Sequence, residues 1–197
     1  MVRLYLADIT NLDIDSALGR VSEYRRQKTL RLCDDEKKRQ SLGAELLLYL
    51  AMGADKPFTY SLGENGKPYI DGGRCFSLAH SGTYAVCAVS DNEVGVDIEL
   101  PREDSLRLAK RFFTESEYAR IAASAESDEL FCEYWTVKES FIKATGKGLS
   151  TPLNSFEAAD KIGEYRTAHF RHEGYHIALC VKCDEIGEIE IHQVDIT

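Results

Sequence analysis

The sequence predicts an α+β protein of two similar halves that meet near Pro101, and three observations carry the prediction. Residues 2–9 alternate in strand fashion before a long helical stretch. Three apolar runs separated by turn residues follow. Beyond Pro101, helical segments come first and three alternating stretches close the chain.

Residues 2–9 form a short strand, since a period of two places alternate side chains on opposite faces. From about Ser16 to Met52 the spacing is helical, with an interruption near Cys33-Asp34-Asp35, where either aspartate can cap the second helix. Leu42, Leu46, Tyr49 and Leu50 mark the apolar face of that helix, and Gly53 supplies its stop. The stretch Gly63-Glu64-Asn65-Gly66-Lys67-Pro68-Tyr69-Ile70 is rich in turn residues. Cys75–Ala79, Tyr84–Ser90 and Val94–Leu100 read as strands separated by Gly82 and Asp91-Asn92, and an antiparallel sheet is the simplest way to join them. Pro101 breaks this pattern. Helices are expected over Ser105–Phe113, Glu115–Ala123 and about Ser127–Thr145, and Tyr165–Arg171, Tyr175–Lys182 and Ile189–Asp195 complete a second sheet. The division falls into residues 1–101 and 102–197.

A length of 197 residues with 44% hydrophobic content is enough for a sizeable core. No run of about 18 apolar residues appears, and Met1-Val2-Arg3-Leu4-Tyr5-Leu6 lacks the long apolar core of a signal peptide, so a cytoplasmic protein without membrane association is expected. Six cysteines (Cys33, Cys75, Cys87, Cys132, Cys180, Cys183) sit among apolar neighbours and read as reduced core thiols; the one close pair, Cys180 and Cys183, has no second pair to complete a zinc site. A formal net charge of −9 argues against a general nucleic-acid binder. Yet Arg25, Arg26, Lys28, Arg31, Lys37, Lys38 and Arg39 crowd one segment, which is either a local anion site or a solvated helix face.

Chemistry is carried by a few residue spacings. Asp97 and Glu99 alternate with Val96 and Ile98, so on a strand the two carboxylates project together. Magnesium takes hard oxygen ligands and suits such a pair; an exposed acidic strand face is the other reading. Glu139 and Lys143 stand four apart on a helix, as neighbours on one face, and form either part of a site or a surface ion pair. Phe131, Tyr134, Trp135, Phe141 and Ile142 imply that this helix is largely buried. Gly146-Lys147-Gly148 after it can bring backbone close to a ligand or simply cap the helix. His80 ends an apolar strand, where functional groups become accessible. Thr114-Glu115-Ser116-Glu117 fits a capping box, which leaves Glu117 either a cap or a second-tier site residue.

Together these landmarks resemble one family, the 4′-phosphopantetheinyl transferases, and within it the single-chain surfactin-synthetase-activating type. The resemblance runs from about Arg25 to Phe156, through Gly66-Lys67-Pro68, Phe76 to Gly82, Gly95-Val96-Asp97-Ile98-Glu99, Arg111-Phe112-Phe113-Thr114-Glu115-Ser116-Glu117-Tyr118, and Trp135 to Ser150. It implies a pseudo-twofold α+β fold, each half an antiparallel sheet with a packed helix, that binds coenzyme A and magnesium in the cleft between the halves. The implied reaction moves the phosphopantetheine arm to a serine of an acyl or peptidyl carrier protein of fatty-acid, polyketide or nonribosomal-peptide type. Adenosine 3′,5′-bisphosphate is released.

By the same resemblance Asp97, Glu99 and Glu139 are metal ligands, His80 is a phosphate contact, and Lys143 stabilises or protonates the leaving phosphate. Lys67 and Pro68 lie near the nucleotide; Arg39 and the Arg25–Lys28 cluster face the 3′-phosphate. Glu139 or a hydroxide on the metal activates the serine. The chain acts as a monomer on an acidic carrier, with Lys110 and Arg111 beside Phe112 and Phe113 offering a docking patch. Two departures from the family pattern are Ala79, where a serine often precedes the histidine, and Tyr24 and Gln27, where cations are expected. A magnesium-dependent phosphodiesterase, and a coenzyme A or carrier-binding module without turnover, are the rival readings.

Overall fold

The computed structural model describes residues 1–54 and 57–197. The chain opens with β1 (Val2–Asp8), two short helices, α1 (Ile14–Leu18) and α2 (Glu23–Leu30), and the long α3 (Asp35–Met52). Of the two candidate aspartates, Asp34 caps α3, its side chain accepting from the Lys37 amide, and Gly53 ends the helix in the left-handed region at φ +66°. Helical spacing hid one further break. Gly19 closes α1, and Ser22 starts α2 by accepting from the Arg25 amide, so the stretch from Ser16 is not one helix up to Cys33.

A small hairpin of β2 (Ser61–Leu62) and β3 (Pro68–Tyr69) leads to β4 (Cys75–Ser81), β5 (Tyr84–Ser90) and β6 (Val94–Glu99). Helices α4 (Ser105–Phe112), α5 (Glu115–Ala123) and α6 (Ser127–Thr145) follow. The chain closes with β7 (Lys161–Ile162), β8 (Tyr165–His172), β9 (Tyr175–Lys182) and β10 (Ile189–Gln193). Thr114 and Glu117 form the predicted capping box of α5.

Two four-stranded sheets result, ordered β10-β1-β5-β4 and β6-β9-β8-β7. Two strands belong to the sheet opposite the one expected from chain order. β6, expected beside β4 and β5, pairs antiparallel with β9, with Asp97 opposite Ala178 and Glu99 opposite His176. β10, expected in the second sheet, runs parallel to β1, with Leu4 opposite Ile191. Burial explains the exchange of β6. Val94, Val96 and Ile98 pack with Leu4, Val86, Ala88, Ile177 and Leu179 between the two sheets, whereas continuing the first sheet edge to edge would not place this apolar row against its face.

The sheets stack face to face, and each outer face carries a helix. Leu42, Leu46 and Leu47 of α3 pack on Phe76, Cys87 and Val89 of the first sheet. Val137 and Ala144 of α6 pack on Ala178 and Cys180 of the second. The molecule is thus two pseudo-symmetric α+β subdomains, each an antiparallel sheet packed with a helix, to which β10 adds one parallel edge.

Gly95 sets the position of α6. A Cβ there would stand 1.9 Å from the Ser140 carbonyl oxygen and 2.4 Å from the Ala144 nitrogen, so only glycine lets α6 lie directly on β6. That contact brings Glu139 and Lys143 beside Asp97. All six thiols are free; Cys87, Cys132 and Cys180 are buried as expected of core thiols, but Cys33 is exposed. Among the described residues, no helix is long and apolar enough to cross a membrane.

Candidate active site

β4, β6 and α6 converge on a cleft of about 430 Å³ lined by Arg25, Pro68, His80, Asp97, Glu99, Trp135, Glu139 and Lys143, among others. A neighbouring cavity of about 310 Å³ shares Pro68, Glu139 and Lys143 and adds Lys67. The strand alternation that buries Val96 and Ile98 between the sheets turns Asp97 and Glu99 the other way, toward α6.

Asp97 is the centre of the cluster. Lys143 Nζ donates to its Oδ1 at 2.6 Å, while its Oδ2 is buried without a hydrogen-bond partner among the described residues. Glu99 accepts from the Ser81 hydroxyl at 2.9 Å. Burial raises the pKa of all three carboxylates; the negative charge of Asp97 then raises Glu99 and Glu139 further, and Lys143 opposes the rise at each. One lysine does not balance three acids. An orphaned, buried carboxylate oxygen beside two further carboxylates is the donor chemistry that a hard divalent cation takes, and Asp97, Glu99 and Glu139 could hold one, although in this arrangement their oxygens do not all lie within 4.8 Å of one another.

His80 lines the cleft with its ring still exposed to solvent. Partial desolvation in the cleft, followed by the charges of Lys143, Arg25 and Lys28, lowers its imidazole to about 4, which favours the neutral ring at neutral pH. Lys67 is already engaged: its Nζ donates to the carbonyls of Val94 at 3.1 Å and Ala144 at 2.8 Å, tying the end of α6 to β6. Burial lowers its pKa.

The basic cluster does not act as one unit. Arg25 lines the cleft, but its Nε donates to Glu45 at 2.8 Å and its guanidinium also reaches the Tyr60 hydroxyl at 3.2 Å. Lys28 is exposed on α2, close enough to lower His80 through its charge. Arg39 is not among the cleft-lining residues, and its Nε donates to the Leu12 carbonyl at 3.2 Å.

Glu117 lies away from the cleft. Its carboxylate caps Thr114, accepts from the Ala158 amide at 2.7 Å and pairs with Lys138 at 2.8 Å, with both side chains fully buried. Phe113 is core, stacked on Phe131, so of the expected docking patch Lys110, Arg111 and the half-buried Phe112 remain at the surface. Sequence reasoning missed Ser81 as the partner of Glu99, Trp135 as cleft wall, and Lys138 altogether. Only Ser81 had a usable signal, since it follows His80 at the end of the same strand. Elsewhere, Glu133, His169 and His176 form a separate group of metal-type donors, each offering an atom within 4.8 Å of the others.

The family model of the 4′-phosphopantetheinyl transferase superfamily matches residues 93–194, from the strand bearing Asp97 and Glu99 through α6 to β10. The 4′-phosphopantetheinyl transferase gsp of Aneurinibacillus migulanus is 38% identical over 143 residues, which is 69% of this chain and 60% of that protein. A 4′-phosphopantetheinyl transferase of Bacillus subtilis is 36% identical over 151 residues, or 72% of this chain and 67% of the relative. The 4′-phosphopantetheinyl transferase Sfp of Bacillus subtilis strain 168 is 37% identical over 145 residues, or 69% of this chain and 65% of that one. The chain therefore spans about three fifths to two thirds of the length of these relatives. With just over half of its residues matched by the family model, and with these identities, the chain belongs to the 4′-phosphopantetheinyl transferase superfamily.

Proposed function

We propose that this protein transfers the 4′-phosphopantetheine arm of coenzyme A to a serine hydroxyl of an acidic acyl or peptidyl carrier protein, in a magnesium-dependent reaction, as a transferase of the surfactin-synthetase-activating type. The serine oxygen attacks the phosphorus that bears the arm, the anhydride P–O bond breaks, and adenosine 3′,5′-bisphosphate leaves with the electron pair. The observation that carries this reading is the buried, unpartnered Oδ2 of Asp97 in a cleft shared with Glu99, Glu139 and Lys143.

Glu139 has the environment of a general base. Burial and the neighbouring carboxylates raise its pKa, so it is a better proton acceptor for serine than an exposed glutamate. Lys143 offers positive charge to the leaving phosphate. In the structure its Nζ donates to Asp97, and a cation held by Asp97 would compete for that carboxylate and leave the ammonium available to phosphate. Asp97, Glu99 and Glu139 would hold a magnesium ion, which would supply charge neutralisation at the diphosphate. His80 offers an N–H to phosphate, Pro68 and Lys67 border the nucleotide, Arg25 and Lys28 supply cations toward the 3′-phosphate, and Arg39, held on the Leu12 carbonyl outside the cleft lining, contributes less.

All these residues lie on one chain, which supports action as a monomer, with the halves 1–101 and 102–197 contributing to one cleft. The test is incubation with coenzyme A, magnesium and an apo-carrier. A carrier mass gain of one phosphopantetheine supports transfer. Cleavage of coenzyme A by water would instead indicate a phosphodiesterase, and binding without either product a module lacking turnover.

A further inference from the structure

Two histidines and a glutamate from three elements meet under the first turns of α6, beside the carboxylate cleft but separate from it. His169 of β8 and His176 of β9 place Nε2 and Nδ1 2.9 Å apart, and a carboxylate oxygen of Glu133 on α6 completes a group whose atoms lie within 4.8 Å of one another. The site has an outer layer. His176 Nε2 lies 2.8 Å from a Glu129 oxygen, and Arg171 donates to that same oxygen at 2.7 Å. With its Nε2–H donating to Glu129, His176 has its ring fixed and its Nδ1 as an acceptor, here for His169 Nε2–H, and a metal that displaced that one proton would find both nitrogens already converged, the carboxylate–imidazole arrangement commonly found behind a metal-bound histidine. His176 is 1% exposed, so this orientation is built into the core of the sheet.

We propose that Glu133, His169 and His176 form a second metal site, for a zinc-class divalent ion, distinct from the magnesium cradle. Two imidazoles and one carboxylate leave a fourth tetrahedral position open, and imidazole nitrogen favours zinc, cobalt or nickel over magnesium. Such an ion ties β8, β9 and α6 together. Because His176 sits opposite Glu99 in the β6–β9 pairing, the tie steadies the strand that carries the cleft carboxylates. This inference does not depend on the transferase reading.

The experiment is titration of chelator-stripped full-length protein with Co²⁺ and then Zn²⁺, read by visible absorption and by melting temperature. One Co²⁺ per chain with d–d bands of tetrahedral type is expected, without the intense near-ultraviolet band of thiolate ligation, and Zn²⁺ should displace it and raise the melting temperature. His169→Gln, at a half-buried position, should remove the cobalt spectrum while circular dichroism shows the fold retained. Glu129→Gln should weaken zinc binding by roughly 10–100-fold, as expected for an outer-layer partner. Asp97→Asn should leave the spectrum unchanged. Absence of a saturable cobalt spectrum, a spectrum that survives His169→Gln, or one that disappears with Asp97→Asn would overturn the proposal.

Discussion

Helix α6 supplies the lysines of two acid–lysine pairs, whose acids lie on α5 and β6 and which differ in how fully they are matched. Lys138 and Glu117 are both fully buried, and every charge-bearing atom of the pair is occupied: the ammonium also donates to the carbonyls of Leu153 and Phe156, and Glu117 also accepts from Thr114 and Ala158. Lys143 and Asp97 are incompletely matched. Lys143 is 32% exposed, Asp97 Oδ2 is orphaned, and two more carboxylates share the cleft. A saturated buried pair fixes structure. An unsaturated pair open to a cleft retains binding capacity, and that difference separates the two candidate acids that the sequence left open, Glu117 and Glu139.

The largest effect expected from this comparison is on stability. Glu117→Ala leaves the buried Lys138 ammonium unpaired and should cost about 3–5 kcal/mol in denaturant unfolding, with activity per folded molecule retained. A loss of activity larger than the loss of folded protein would place Glu117 in the chemistry instead. Lys143→Ala should show the opposite pattern: kcat falls roughly 10²-fold or more while the melting temperature changes little. If melting falls and kcat is intact, the Lys143–Asp97 pair is structural like its buried counterpart.

Both acid–lysine pairs join different elements, and neither pairing was legible in the sequence, whereas spacings within one element were. Asp97 with Glu99, and Glu139 with Lys143, were readable because each pair lies within one element, at a spacing of two or four residues that fixes a common face. The capping box and the Asp34 cap were readable for the same local reason. Lys138–Glu117 and Arg25–Glu45 join different elements, and no periodicity announces which buried charge meets which. The sheet exchange of β6 and β10 was hidden because Asp91-Asn92 serves equally well as a hairpin turn or a step between sheets; the faces buried after folding decide.

A third effect depends on pH. Asp97, Glu99 and Glu139 have raised pKa values, so just above the ordinary carboxylate range they hold protons in the folded protein that the unfolded chain has already lost. Folding takes up protons in that window. Stability contributed by these groups is therefore lost as pH rises through the raised values, and magnesium should restore it. The magnesium-induced rise in melting temperature is expected to be larger near pH 7 than near pH 5; a rise independent of pH, or unchanged in Glu139→Gln, would detach magnesium from these carboxylates.

The smallest effect concerns the cations. Lys28 is exposed and its charge reaches His80, whereas Arg39 is hydrogen-bonded to the Leu12 carbonyl outside the cleft lining. A well-formed charged contact to phosphate is worth about 1.5–3 kcal/mol, so Lys28→Ala should reduce preference for coenzyme A over its dephospho form by roughly tenfold. Arg39→Ala should reduce it less. The reverse order would show that the 3′-phosphate lies toward α3.

The central claim is that the unsatisfied Asp97 carboxylate marks a magnesium-dependent transferase site. It is tested most directly by intact-mass measurement of an apo-carrier incubated with coenzyme A and either the native protein or Asp97→Asn, across a magnesium titration. The native protein should add one phosphopantetheine at a rate that rises with magnesium and vanishes with chelator, and Asp97→Asn should be nearly inactive at limiting magnesium although folded. Equal rates for the two proteins at limiting magnesium, or undiminished transfer by the native protein in chelator, would contradict the account.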